Sequence, residues 1–345
     1  MLYQNVELHN VAELVPQDGG VRLFRFPSAA VTTVNKMMGA TRGRSATGCE
    51  IRFVTDANTV WVTMEAMAHD VALTVLRGDL VYQKLTLRAG GRQVIEIARP
   101  GQIDDVGDAF FADGEGERFS PQVWRIYISS EAAHCIFYSV EGLDAPVRPP
   151  HDREVPGRRF IAYGSSITHG CWTIDTLNSY PQIAARELGV DVLCKGMAGS
   201  CQCEKAISDY LAREECDFAT LELGVNMYHL DTPEFESRVR YLLTEMRRVQ
   251  PARPFFVITP FVSRYSDGPK QTDRQKHAAF VDILHRLTAK IAPDTAEVID
   301  GTAVLDRRQG LCYDCLHPSE YGHMRMGVNL ARMLSASPLL IDILN

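Results

Sequence analysis

At 345 residues, with 46% hydrophobic and 23% charged side chains, the chain has the composition of a soluble globular protein large enough for two domains. A formal charge of -7, from 36 basic against 43 acidic side chains, and the lack of any basic or arginine-aromatic stretch argue against a nucleic-acid partner. No window approaches the apolar length of a membrane helix, and Met1–Glu7 has neither the basic flank nor the apolar run of a secretory signal. Nine cysteines, an odd number scattered through a large chain, suit a reducing compartment better than a disulfide framework, so a cytoplasmic location is expected.

Residues 1–144 read as sheet. Val21–Phe26, Glu50–Val54, Thr59–Met64 and Val71–Leu76 alternate apolar and polar side chains, and turn-like pieces such as Asp18-Gly19-Gly20, Asp56-Ala57-Asn58, Arg77-Gly78-Asp79 and Ala89-Gly90-Gly91 separate such runs. Val94–Ile97 and Trp124–Ile128 continue the pattern. Many short strands at this spacing predict an all-β sandwich of two antiparallel sheets. Gly101–Ser120, rich in Gly and Asp, is a long connection that either reaches a neighbouring domain or partner or is a mobile loop. Its Asp104, Asp105, Asp108 and Asp113 lack an EF-hand arrangement, so no calcium site is expected there.

The proline-rich, polar piece 145–159 is the best domain boundary. Beyond it, over 160–345, strand-like pieces at 160–163, 190–194, 218–223, 255–259 and 297–300 alternate with helical stretches near 178–188, 203–214, 233–249, 270–290 and 319–334. In the helix that follows Asp231-Thr232-Pro233, the residues Phe235, Val239, Leu242, Leu243 and Met246 make one apolar stripe. This alternation predicts an α/β fold, a three-layer α/β/α domain with a mostly parallel five-stranded sheet.

Arg159–Gly170 organises this half: apolar and aromatic residues lead into Gly164-Ser165-Ser166, a buried strand ending in a tight turn. Such a turn faces the crevice beyond the carboxyl ends of parallel strands, which makes Ser166 a candidate nucleophile. Lys195–Ser200, Leu221–Met227 and Asp314–Pro318 are predicted to reach the same edge. Taken singly, these blocks also fit a glycine turn at Gly199, a helix cap at Asn226 and a surface pair at Asp314 and His317.

Together, and in this order, the blocks resemble those of the SGNH hydrolases, the GDSL-like esterases and lipases. The first block stands here as Gly164-Ser165-Ser166-Ile167-Thr168, with Ser165 in place of the commoner aspartate. The resemblance covers about 160–335. It implies a catalytic triad of Ser166, Asp314 and His317, and an oxyanion hole made by Ser166, Gly199 and Asn226. In chemical terms, neutral His317 would accept the Ser166 proton during attack on an ester carbonyl, Asp314 would select the ring tautomer, and three N–H donors would meet the oxyanion. Some esterases of this appearance carry an amino-terminal β-sandwich or jelly-roll domain and remove acetyl groups from carbohydrates. The expected substrate is therefore a small soluble ester, an acetylated sugar first among them.

Acyl transfer to a sugar or natural-product hydroxyl is the runner-up, and a non-catalytic carbohydrate-binding protein is the contrasting class. A nucleotide site at Gly164–Gly170 is disfavoured, since there is no Walker lysine and no dinucleotide fingerprint. His169, Trp172, Tyr228, His229 and Tyr265 lie beside the blocks or after the fourth strand and are candidate substrate contacts, with ordinary packing as the alternative for each. Cys201-Gln202-Cys203 and Cys312-Tyr313-Asp314-Cys315 raise the question of zinc, yet Cys-x-Cys is tight for a zinc knuckle and a metal would constrain loops that must admit substrate. No metal and no cofactor are expected; the thiols read as semi-buried, with a redox or catalytic cysteine as the other reading. No membrane partner is expected, and a homo-oligomer is left open.

Overall fold

The computed structural model describes residues 1–34, 39–106 and 118–344, which fall into two compact units. Asp108 and Asp113 lie outside the described residues.

The first unit comprises Met1–Phe26 and Arg44–Gly157. Its strands are β1 (Leu2–Tyr3), β2 (Val6–His9), β3 (Glu13–Gln17), β4 (Gly20–Phe24), β5 (Glu50–Val54), β6 (Thr59–Ala66), β7 (Val71–Arg77), β8 (Leu80–Leu87), β9 (Gly91–Ala98), β10 (Val123–Ile128) and β11 (Cys135–Gly142). They form two antiparallel sheets, ordered β1-β2-β5-β10-β7-β8 and β3-β4-β11-β6-β9. Along β6, strict alternation puts Val60, Val62, Met64 and Ala66 inside, as a strand with one face on the core requires. Inward residues of both sheets, including Ile51, Phe53, Trp124, Ile126 and Phe137, make one core, so this unit is a β-sandwich.

The edge strand β8 escaped the sequence reading because most of its side chains face solvent. Parts of both predicted connections are ordered, and residues 107–117 of the first lie outside the described residues. Gly101–Val106 is helical. Within the proline-rich piece 145–159, Arg148 exchanges backbone hydrogen bonds with Val54 and its guanidinium grips the Glu154 carboxylate with two bonds of 2.7 Å, so this connection stays with the sandwich up to Gly157.

The second unit comprises Arg158–Asn345 together with Pro27–Gly43. This excursion lies within the stretch 1–144 that sequence alone assigned to the sandwich. It joins the second unit because its helix Ser28–Val31 packs on the helix Lys205–Arg213, and Gly39 lies against Ser200. The strands β12 (Arg159–Gly164), β13 (Asp191–Gly196), β14 (Phe218–Glu222), β15 (Phe255–Ile258) and β16 (Ala296–Ile299) form one parallel sheet in the order β13-β12-β14-β15-β16. Each agrees with its predicted position to within two residues.

The helices Tyr180–Glu187, Lys205–Arg213, Thr232–Val249, Gln271–Ile291 and Glu320–Ser335 also stand where the periodicity placed them. In Thr232–Val249 the buried residues are the predicted stripe of Phe235, Val239, Leu242, Leu243 and Met246, and the Asp231 carboxylate caps the helix by accepting the Glu234 N–H. The strand order matters for the site. From β12 the chain moves first to β13 on one side and then to β14 on the other, so the sheet switches direction at β12 and opens a crevice beyond its carboxyl end.

Candidate active site

Ser166 occupies that crevice. It opens the four-residue helix Ser166–His169, whose N-cap is Ser165, in an extended conformation with its Oγ accepting the Ile167 N–H at 3.1 Å. The serine that replaces the family's commoner aspartate thus works as a helix cap. Gly170 ends the helix at φ 89°, a left-handed conformation that suits glycine.

Opposite Ser166 stands the loop 311–318, closed by a bridge between Leu311 and Pro318 and by a 2.8 Å bond from Cys312 N–H to His317 O. His317 Nε2 lies 2.8 Å from Ser166 Oγ, and His317 Nδ1 lies 2.6 Å from Asp314 Oδ2. The second Asp314 oxygen accepts the backbone N–H groups of Leu316 and His317, each at 3.1 Å. Burial acts to raise the Asp314 carboxyl, but hydrogen bonds from the His317 ring and these amides outweigh it and hold the carboxyl below its ordinary value. An ionised Asp314 takes the Nδ1 proton as its donor, which leaves Nε2 as the acceptor facing Ser166.

Two further blocks meet this edge. Gly199 has φ 69° and sits inside the turn that Ser200 N–H closes on Met197 O. Gly224 has φ 126° and presses so closely on Pro260 that any side chain would collide with its ring. The short helix Val225–Met227 then presents Asn226, whose Oδ1 accepts the Cys201 N–H at 3.1 Å. With that oxygen engaged, the Asn226 Nδ2 hydrogens remain to donate.

The candidate contacts divide. His169 is only 1% exposed, and its Nδ1 bonds Gly196 O at 2.7 Å, so it braces two blocks from inside. Trp172 is exposed and has φ 73°, an uncommon conformation for a bulky side chain. Its ring meets Tyr313 edge-on at 5.4 Å and stacks near His317 at 6.3 Å. Tyr228 stacks on Tyr265 at 4.2 Å and bonds His277 Nδ1 through its hydroxyl at 2.8 Å. The neighbouring Arg264 ties this pair to the Asp314 loop, with its N–H on Cys315 O and its guanidinium on Asp314 O. His229 is exposed.

Sequence reasoning gave no role to Tyr313, Arg264 or Glu222. Only Glu222 carried a signal, as a lone acid inside the apolar run Leu221–Leu223. The thiols of Cys201 and Cys203 are buried, and burial pushes both upward, whereas Cys315 is exposed. Among the described residues no three His, Cys, Asp or Glu side chains gather as a metal ion would need, and no helix is long and apolar enough to cross a membrane.

The parallel sheet, its strand order and the blocks at its carboxyl edge define an SGNH-hydrolase-like domain, preceded in the chain by a β-sandwich. The chain belongs to the GDSL-like lipase/acylhydrolase family, whose profile matches residues 157–335. Solved structures share the fold over most of the chain. A salicylyl-acyltransferase from a tetracycline biosynthetic pathway aligns with a TM-score of 0.81 at 15% identity, over 97% of this chain and 96% of its own. A family two carbohydrate esterase from Clostridium thermocellum, in complex with cellohexaose, aligns with a TM-score of 0.64 at 12% identity, over 95% of this chain and 98% of its own. An acetyl xylan esterase from the rumen bacterium Butyrivibrio proteoclasticus gives 0.57 at 12% identity, over 84% and 89%. At such identities the likeness is one of fold. No curated protein sequence matches the chain.

Proposed function

We propose that the protein is a serine esterase that hydrolyses small soluble carboxylic esters through an acyl-enzyme, with O-deacetylation of a carbohydrate as its reaction. The observation that carries this reading is the unbroken chain from Ser166 Oγ to His317 Nε2 at 2.8 Å and from His317 Nδ1 to Asp314 Oδ2 at 2.6 Å. In the proposed reaction Ser166 Oγ attacks the ester carbonyl as its proton passes to His317 Nε2, and Asp314 stabilises the imidazolium. The backbone N–H groups of Ser166 and Gly199 and the Asn226 amide receive the oxyanion. His317 then returns the proton to the departing sugar hydroxyl, and a water that it deprotonates releases acetate from Ser166.

Family membership supports acylhydrolase chemistry, and the two esterase structures of like fold, one a family two carbohydrate esterase and one an acetyl xylan esterase, support an acetylated sugar. The exposed Trp172 and Tyr313 rings beside His317 offer flat apolar faces suited to a sugar ring. Acyl transfer is the second reading, favoured by the fold likeness to a salicylyl-acyltransferase. It uses the same acyl-enzyme but requires an acceptor hydroxyl to outcompete water. Binding without turnover leaves the Ser166–His317–Asp314 chain without a purpose.

The test is hydrolysis of a panel of acetylated sugars and short aryl esters by wild type and Ser166→Ala, with intact-protein mass spectrometry to catch the acyl adduct. Turnover and an adduct at Ser166, both lost in a folded Ser166→Ala protein, are the expected result. Undiminished turnover in that variant refutes the assignment, and product formation that needs an added alcohol selects the transferase.

A further inference from the structure

Behind the nucleophile turn lies a carboxyl that the mechanism above does not use. Glu222 ends β14, is 1% exposed and packs so closely on Gly164 that a Cβ there would lie 2.6 Å from Glu222 Oε2. That oxygen accepts the Ser165 N–H at 2.6 Å and the Thr168 hydroxyl at 3.1 Å. Because Thr168 gives its only hydroxyl hydrogen to Glu222, the Tyr180 hydroxyl 2.7 Å away donates to Thr168. The residues that donate to Glu222, Ser165 and Thr168, flank Ser166 in sequence, one before it and one two residues after. Glu222 Oε1 has no hydrogen-bond partner, and among the described residues no cation pairs with this side chain.

We infer that Glu222 is the positioning residue of the nucleophile turn, holding the Ser165 amide and the Thr168 hydroxyl so that Ser166 Oγ faces His317 and Ser166 N–H faces the oxyanion. The inference rests on Ser166 being the nucleophile. An elbow of this kind is held by few bonds, and reacting atoms displaced by about 1 Å lose on the order of 10²-fold in rate.

The carboxyl also titrates near neutrality. Burial, opposed by the hydrogen bonds from Ser165 and Thr168, pushes the carboxyl up to about 7. The titratable groups that face it are Tyr180 from the helix Tyr180–Glu187, Cys201 and Cys203 from the loop after β13, and Tyr228 from the turn after β14. Each of these is an acid held above its ordinary value, so none brings a positive charge to offset ionisation of Glu222. An ionised Glu222 would add a negative charge behind the turn that carries Ser166, and so oppose the build-up of charge on the oxyanion.

The test uses a fluorophosphonate probe, which reports on the nucleophile whatever the natural ester is. Ser166 Oγ displaces fluoride from phosphorus, and mass spectrometry reads the rate and the site. Wild type is expected to label at Ser166 with a rate that falls as pH rises through about 7. Glu222→Leu should label about 10²-fold more slowly. Glu222→Gln, whose amide oxygen can still accept both bonds, should recover most of that loss and show no fall above neutrality. A Glu222→Leu protein that labels as fast as wild type, or a Glu222→Gln profile that superposes on that of wild type, overturns the role of Glu222. The Glu222→Gln profile decides the question even where Glu222→Leu fails to fold. A wild type that does not label at Ser166 overturns the nucleophile assignment itself, and this inference with it.

Discussion

Replacing Glu222 by Gln keeps the shape of a buried side chain and removes its titratable proton, which gives a stability prediction independent of any substrate. The carboxyl is raised from 4.5 to about 7 in the folded chain. Below pH 4.5 it is protonated both folded and unfolded, and its contribution is fully present. Between 4.5 and about 7 the folded chain holds a proton that the unfolded chain has released, so stability falls as pH rises through this window and levels off above it. Raising the carboxyl from 4.5 to about 7 corresponds to about 3 kcal/mol. The side chain is 1% exposed, so solvent screening does little to reduce this. Glu222→Gln lacks the slope, and its stability relative to wild type should grow by about 3 kcal/mol from pH 4.5 to pH 8. Scanning calorimetry of both proteins at several pH values, comparing the transition of the unit that contains Ser166, measures the difference while titrations common to both cancel. Parallel curves across the window would refute the argument.

Other perturbations test other parts of the site. Asn226→Ala removes one proposed oxyanion donor and should lower kcat by about 10²- to 10³-fold with little change in KM, measured by steady-state hydrolysis of an active ester. Asp314→Asn should lower kcat by about 10⁴-fold, since an amide selects the wrong His317 tautomer; a retained circular dichroism spectrum and melting point would show the loss to be chemical. Trp172→Gly should change stability by less than about 1 kcal/mol, because relief of left-handed strain offsets the entropy of glycine, while KM for a sugar ester rises about tenfold. In the sandwich, the hydrogen bonds from Arg148, with burial opposing them, hold the Glu154 carboxyl down at about 2. Its contribution is therefore present above 4.5 and lost as pH falls toward 2, and urea titrations of Glu154→Gln should show a shallower acid limb than wild type.

Much of this architecture is local information. The stripe from Phe235 to Met246, the cap at Asp231 and the apolar strands of the parallel sheet follow from periodicity and from hydrogen bonds between near neighbours. Sequence alone therefore determined the fold class, the β-sandwich followed by an α/β domain, and the order of the family blocks. Tertiary structure decided what depends on contacts across the chain. Which side of a sandwich an edge strand covers is not written in its alternation, so β8, mostly exposed, stayed hidden. Pro27–Gly43 sits between sandwich strands in sequence, yet it packs on a helix more than 160 residues downstream, and no local pattern encodes that. His169, adjacent to a block and polar, looked suited to substrate but is consumed by Gly196 O inside the protein. Glu222 and Ser165 are 57 residues apart, and their hydrogen bond exists because parallel pairing of β12 and β14 ends both strands at one edge. Chain order supplied the parts of the site; the sheet register brought them within hydrogen-bonding distance.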